Sequence, residues 1–149
     1  MDQNIWEYDD FIFKGDELKG MTQKGKDKVK VEGKTDLVIP ELTPDGLPLK
    51  KIGDNAFYRR GLTSVVIPNT VESIGYDAFG VCKLKEVKLP EALVNIEGFA
   101  FYRNKLTKVE FGSKVKRLEP SSFAMNELSE LNLPETVEYI ETSAFYKNS

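Results

Sequence analysis

A fixed period of 22 residues, running from the second third of the chain onward, constrains the fold more than any other feature. Leu62, Leu84, Leu106 and Leu128 each open a Leu-x-x-Φ-x-Φ segment, completed by Val65 and Ile67, Val87 and Leu89, Val109 and Phe111, and Leu131 and Leu133. Pro68, Pro90 and Pro134 follow, with Gly112 in the third copy. Proline lacks a donor and glycine has conformational freedom, so either residue ends a strand. Next come Val71, Leu93, Val115 and Val137, then Ile74, Ile96, Leu118 and Ile140, and last Phe79, Phe101, Phe123 and Phe145, mostly preceded by Ala. An earlier copy supplies Leu49, Ile52, Ala56 and Phe57. Its strand, Leu37-Val38-Ile39-Pro40, lies six residues too early, so residues 41–48 form an insertion rich in turn residues.

Each copy holds too few apolar residues for a core of its own, so it buries them by stacking on its neighbours. The pattern therefore predicts a solenoid. Alternation at Val65 and Ile67 predicts one short strand per copy, with equivalent strands stacked in parallel about 4.8 Å apart on one face. Asn55, Asp77, Ser121 and Ser143, just before the Ala-Phe or Ser-Phe pairs, read as N-caps of a one-turn helix or 3₁₀ turn. Phe99 departs from that rule in its copy.

The run Val65-Val66-Ile67-Pro68-Asn69-Thr70-Val71-Glu72-Ser73-Ile74-Gly75-Tyr76-Asp77-Ala78-Phe79-Gly80-Val81-Cys82 resembles the BspA-like class of leucine-rich repeat. Five successive copies in register, over residues 35–149, carry the resemblance. It implies an α/β leucine-rich-repeat solenoid, with short parallel strands on one face and short helical or 3₁₀ turns on the other. It also implies a bacterial surface or secreted protein that binds host proteins or cells. The family often has Cys where Cys82 lies; here Asn104, Asn126 and Asn148 replace it, and Arg60 occupies the first copy. Such a residue is expected to satisfy backbone groups of the turn. Each copy is one residue shorter, between Phe and the next Leu, than the commonest family length.

Residues 1–34 do not keep the period and read as a capping element over the first rung, which a solenoid end requires. Phe11-Ile12-Phe13, the turn residues Lys14-Gly15-Asp16 and Glu17-Leu18-Lys19-Gly20 suggest a hairpin, with Trp6, Tyr8, Phe11, Phe13, Leu18 and Met21 as its apolar face. Beyond it, a helix capped by Thr22 and reaching Lys28 competes with a strand suggested by the alternation Lys28-Val29-Lys30-Val31. The lysines between Lys24 and Lys30 read as a solvated face. No basic-then-apolar leader opens the sequence, so either the protein is cytosolic or a signal has been removed. The sequence stops one residue before the next expected Leu, which suggests an N-terminal portion of a longer protein. A bare last rung of Leu131, Leu133, Val137, Ile140 and Phe145 would then favour self-association.

Several function classes are excluded by composition. There is no His, which removes triads and His-metal sites, and a single Cys, which removes an internal disulfide. The net charge of -3 disfavours nucleic acid and anionic membranes, and no apolar run is long enough to span a bilayer. Asp9-Asp10 and Asp16-Glu17 are carboxylate pairs adjacent in sequence, which usually point apart. Gly20, Gly25 and Gly33 are spaced as turn residues rather than a phosphate loop, and Cys82 reads as a buried, inert hydrophobe. No catalytic residue, metal or cofactor is expected.

What remains is surface recognition. Outward strand positions carry Ser64, Glu86, Lys108 and Glu130, and beside them Val66, Lys88, Glu110 and Asn132. The alternating signs read either as internal charge ladders or as a partner-binding face. After the repeat Phe come Tyr58-Arg59, Gly80-Val81, Tyr102-Arg103, Ala124-Met125 and Tyr146-Lys147, a superperiod of 44. That row either docks an acidic protein strip or a glycan, or lets each Tyr shield the core over its smaller neighbours. The candidate binding residues are therefore Tyr58, Arg59, Tyr102, Arg103, Tyr146, Lys147, Glu86, Lys88, Lys108 and Glu110. The expected function is a noncatalytic interaction module, extracellular or at the cell surface, that recognises a protein or glycan on a host or cell surface. The alternative is a structural spacer in a larger surface protein.

Overall fold

Local turn and capping chemistry builds the start of the chain. In the computed structural model, which describes residues 5–148, a 3₁₀ turn (Tyr8–Asp10) leads into strand β1 (Phe11–Lys14), which reverses at Gly15 and Asp16 into antiparallel β2 (Glu17–Met21). Helix α1 (Gln23–Lys30) follows, and the Thr22 hydroxyl accepts the Gly25 N–H at 3.2 Å, so the capped helix forms and the competing strand does not. Met1 to Asn4 of the expected cap, and Ser149, lie outside the described residues.

The lysine run is not a uniformly solvated face. Lys28 is 3% exposed and its Nζ lies 2.6 Å from an oxygen of Asp10, which is fully buried. The same ammonium donates to the Ile5 carbonyl at 2.6 Å and sits 5.4 Å from the Trp6 ring centre. A pair 18 residues apart in sequence thus rivets the helix to the leading segment. Gly25 lies within this helix and Gly20 within β2 rather than in turns, and a side chain at Gly25 would collide with the Asp10 carbonyl.

From there the chain alternates between two kinds of strand: β3 (Asp36–Val38), β4 (Lys51–Ile52), β5 (Ser64–Val66), β6 (Ser73–Ile74), β7 (Glu86–Lys88), β8 (Asn95–Ile96), β9 (Lys108–Glu110), β10 (Arg117–Leu118) and β11 (Tyr139–Ile140). Four of the expected strands form as β3, β5, β7 and β9, whereas the one expected at Leu131 and Leu133 does not, and the four pair only as β3 with β5 and β7 with β9. The continuous sheet is instead the second, unexpected set, ordered β1-β2-β4-β6-β8-β10-β11 and parallel from β2 onward. Leu18 of β2 pairs with Ile52 of β4, so the hairpin supplies an extra rung and covers the first repeat.

The third side of each rung carries tight turns, and here the N-cap reading needs correction. Asn55, Asp77, Phe99, Ser121 and Ser143 all have φ between 54° and 60°, and so do Arg59, Val81, Arg103, Met125 and Lys147 at 53° to 58°. Two left-handed residues per rung interrupt any helix, although bonds of 3₁₀ type persist. Ala78, for example, donates to Gly75 O at 3.2 Å and Gly80 to Asp77 O at 3.1 Å. The intervening N–H groups of Asp77, Phe79 and Val81 donate to Gly98 O, Ala100 O and Tyr102 O of the next rung at 3.2, 2.9 and 2.7 Å. Successive donors thus alternate between their own turn and the neighbouring rung, which leaves no backbone donor of this segment idle.

Inside, the repeat phenylalanines form one column. Phe57, Phe79, Phe101 and Phe123 are fully buried and stack with centres 5.3 Å apart, and Phe145 continues at 5.7 Å. Phe11 closes the column edge-on, 6.4 Å from Phe57. A buried amide ladder runs beside it. Asn126 Oδ1 accepts Leu106 N–H at 3.1 Å, while Nδ2 donates to Phe101 O at 2.9 Å and Phe123 O at 3.1 Å. Asn104 and Asn148 repeat the motif, and the Cys82 thiol donates to Phe57 O at 3.2 Å.

Two stability predictions follow from these contacts. Lys28→Met should cost about 3 kcal/mol or more, because Asp10 keeps a buried charge without its partner. In urea unfolding the midpoint should fall sharply, whereas Asp9→Asn, at an exposed pair with Lys24, should barely move it. Asn126→Leu should cost about 2 kcal/mol, since the buried Leu106 N–H loses its partner, while Phe101 O and Phe123 O lose one donor but keep the amides of Asn104 and Asn148. Asn126→Cys should cost less, as the thiol at Cys82 already does part of that work in its own rung.

Candidate interaction surfaces

The face formed by β3, β5, β7 and β9 is where inter-rung bonding is incomplete. In the β7–β9 pair Glu86 stands opposite Lys108 and Lys88 opposite Glu110. None of these four makes an ion pair within 4.0 Å among the described residues, and all four are exposed. Opposite charges therefore face solvent as neighbours rather than as closed contacts. A groove of about 270 Å³ runs from β5 across β7, which does not pair with β5, to β9, lined by Ser64 and Val65, by Glu86, Val87 and Lys88, and by Lys108 and Glu110. A second groove of about 240 Å³ separates β9 from Glu130, Leu131 and Asn132.

Toward the cap the same face turns apolar, a feature that the charge pattern did not disclose. Val38 and Val66 are partners in the β3–β5 register and are 49% and 59% exposed. Beside Val38 opens a cavity of about 470 Å³ lined by Trp6, Tyr8, Phe11, Lys34 and Pro40. The Trp6 indole is held by a 2.8 Å bond to Asp36 O, and Tyr8 donates to Leu42 O at 3.0 Å. The exposed Val66 was visible in sequence as an outward strand residue; the aromatic wall beside Val38 was not, because it is assembled from the cap.

The tyrosine and cation row lies along the left-handed turns. Arg59 and Lys147 reach back over the preceding rings, 5.4 Å from the Tyr58 centre and 5.7 Å from the Tyr146 centre. Arg59 Nε also donates to the Tyr58 hydroxyl at 3.0 Å. Tyr102 packs edge-on against Phe99 at 5.1 Å, with Arg103 exposed beside it. Tyr58 and Tyr102 are half-buried, whereas Tyr146 is 57% exposed. A Cβ on Gly80 would lie 3.2 Å from the Tyr58 ring, so this Tyr covers its small neighbour as well as presenting its edge.

The BspA type leucine rich repeat region, in 6 copies, matches residues 50–149. The chain belongs to this family. Among solved structures, a leucine rich repeat protein of T. pallidum superposes with a TM-score of 0.76 at 26% identity, covering 93% of this chain. The chain spans 64% of that protein's length. A leucine-rich repeat protein of Bacteroides capillosus gives 0.45 at 21% identity, covering 89% of this chain and 83% of its own. A leucine rich cell surface protein of Faecalibacterium prausnitzii gives 0.42 at 23% identity, covering 91% and 49%. No curated protein matches the sequence.

In this BspA-type chain the Asp9 and Asp10 carboxylates are not brought together, Asp9 facing Lys24 at 2.9 Å and Asp10 facing Lys28, and Glu17 lies 3.3 Å from Lys19. Cys82 is 5% exposed, and burial first of all pushes its thiol pKa up, which disfavours the reactive thiolate. Among the described residues no three His, Cys, Asp or Glu side chains gather for a metal, and no helix is long and apolar enough to cross a membrane.

Asp77, behind the tyrosine row, carries a buried Oδ1 with no hydrogen-bond partner, and burial raises its carboxyl pKa above the ordinary value of 3.8. The unfolded chain therefore releases this proton first as pH rises, so the residue's contribution to stability falls from the ordinary carboxylate range up through the raised value. Asp77→Asn keeps a residue that tolerates φ near +54° and removes the charge. It should be more stable than the parent at pH 7, with the advantage vanishing at about pH 3, checked by urea midpoints across that range.

Proposed function

We propose that the chain is a noncatalytic interaction module of a bacterial surface or secreted protein, recognising a protein or glycan on a host or cell surface through its strand face. The observation that carries this reading is the open state of that face: four charges without contact partners, grooves between unpaired strands, and the exposed Val38–Val66 step beside an aromatic-walled cavity. A spacer has no need of such a face and would be served by a closed ladder of ion pairs. Glu86, Lys88, Lys108 and Glu110 set charge register, and the valines offer apolar contact at one end. Tyr58, Arg59, Tyr102, Arg103, Tyr146 and Lys147 form a second contact row on the turns. The two fully bonded sides, the long sheet and the turns, hold this surface in place before a partner arrives, which reduces the ordering cost of binding.

The test is surface-plasmon binding of the chain to extracellular-matrix proteins, cell-surface glycans and bacterial envelope preparations at low and high salt. Saturable binding should weaken about ten-fold or more in Val66→Lys and in the charge-swapped pair Glu86→Lys with Lys88→Glu. Comparison with Tyr102→Ala plus Arg103→Ala reads the contribution of the turn row. The spacer reading prevails if no ligand saturates and the chain instead self-associates through its last rung, where Leu131 and Ile140 are 48% and 53% exposed.

A further inference from the structure

A separate concavity of about 680 Å³ lies between α1 and the turns of the first rungs. Its walls gather Lys26 and Lys30 from the helix and Arg59, Arg60 and Lys83 from the repeats, against one carboxylate, Asp27, which is occupied by the Gln23 amide at 2.9 Å. None of the five cations makes an ion pair within 4.0 Å among the described residues, which is equally true of Lys114 and Lys116; what sets the five apart is that they converge on one hollow. In a chain of net charge -3, five unpaired cations around one hollow repel one another, and an anionic ligand would relieve that repulsion.

Two departures from the repeat point the same way. Position 60 is Arg where later rungs place Cys82, Asn104, Asn126 and Asn148, the residues that close the turn. The first rung does not need such a residue, since Phe57 O already receives the Arg60 N–H at 3.2 Å and the Cys82 thiol. Arg60 is therefore free to line the hollow. Arg59 is braced on Tyr58, with Nε committed to the hydroxyl, so its two terminal nitrogens remain for a ligand. Two neighbouring guanidinium groups suit oxyanions, which accept paired N–H bonds from each fork.

We infer that this cleft binds an anionic saccharide, with its sulfate or carboxylate groups on the five cations and its hydroxyls on Gln23 and Thr35. The lining favours a sugar over an acidic peptide or a nucleic acid. Val29 is its one apolar side chain, so it offers little to peptide side chains, and no aromatic ring lines it for bases to stack on. The cleft lies apart from the strand face, shares only Arg59 with the turn row, and survives failure of the strand-face reading.

Calorimetric titration of the whole chain with a heparin octasaccharide tests it, at about 50 mM and about 300 mM salt. Saturable binding should weaken about ten-fold between the two, and about ten-fold again in Arg59→Gln plus Arg60→Gln and, on the opposite wall, in Lys26→Gln plus Lys30→Gln. Lys114→Gln plus Lys116→Gln, with equal charge loss elsewhere, should bind as the parent does, and so should Val66→Lys. Absence of saturation at low salt overturns the proposal. So does an equal loss in the Lys114 and Lys116 variant, or tighter binding of a polyglutamate peptide or a single-stranded oligonucleotide of matched charge.

Discussion

Everything in this molecule depends on the fact that no rung can close without the next one. The phenylalanine column makes that dependence concrete: each ring finds its large contact surface on a ring 22 residues away, with planes inclined by only 7° to 17°. The backbone obeys the same rule. The amide of Asn104 answers a donor and a carbonyl of the preceding rung as well as a carbonyl of its own. Because apolar stacking and polar satisfaction share one translation, a residue that served one and frustrated the other would be felt in both.

The same dependence makes the ends special. At the start, β2 joins the long sheet, Phe11 meets the column edge-on, and the Asp10–Lys28 pair locks α1 behind them. A buried ion pair is an expensive way to hold a helix, yet it fixes a single docking position, which an apolar contact alone would define less sharply. At the last rung, Ile140 is 53% exposed, while Ile74, Ile96 and Leu118 at the equivalent positions are fully buried.

Much of this was legible in the side-chain pattern, and what was not has identifiable causes. The period, the hairpin and the inward Phe residues are written in apolar spacing, which is a packing signal. The two-residue strands such as Ser73–Ile74 are too short to show alternation, and their sheet is made by backbone bonds that no side chain advertises. Asn, Asp and Ser favour both N-caps and left-handed turns, so Asn55 and Ser121 were ambiguous. Phe99, which suits neither, marked the position as a backbone constraint rather than a cap. Lys28 looked solvated because its partner lies 18 residues away across a hairpin, and the cavities on either side of the cap exist only once α1 has docked.

The strand face keeps a longer rhythm than the interior. Thr63 and Thr107, 44 residues apart, each tie their rung back to the one before, the N–H groups bonding Thr35 O and Lys85 O at 2.9 Å and the hydroxyls adding a further contact to each carbonyl. Lys85, between them, makes no such bond among the described residues, and there β5 and β7 part to form the groove. Tyr58-Arg59 and Tyr102-Arg103 recur at the same interval on the turns. The core thus repeats every rung, as stacking demands, while the surface repeats every second rung. Packing alone imposes no such doubling, and its cost is a sheet left open on the face where the charges stand without partners.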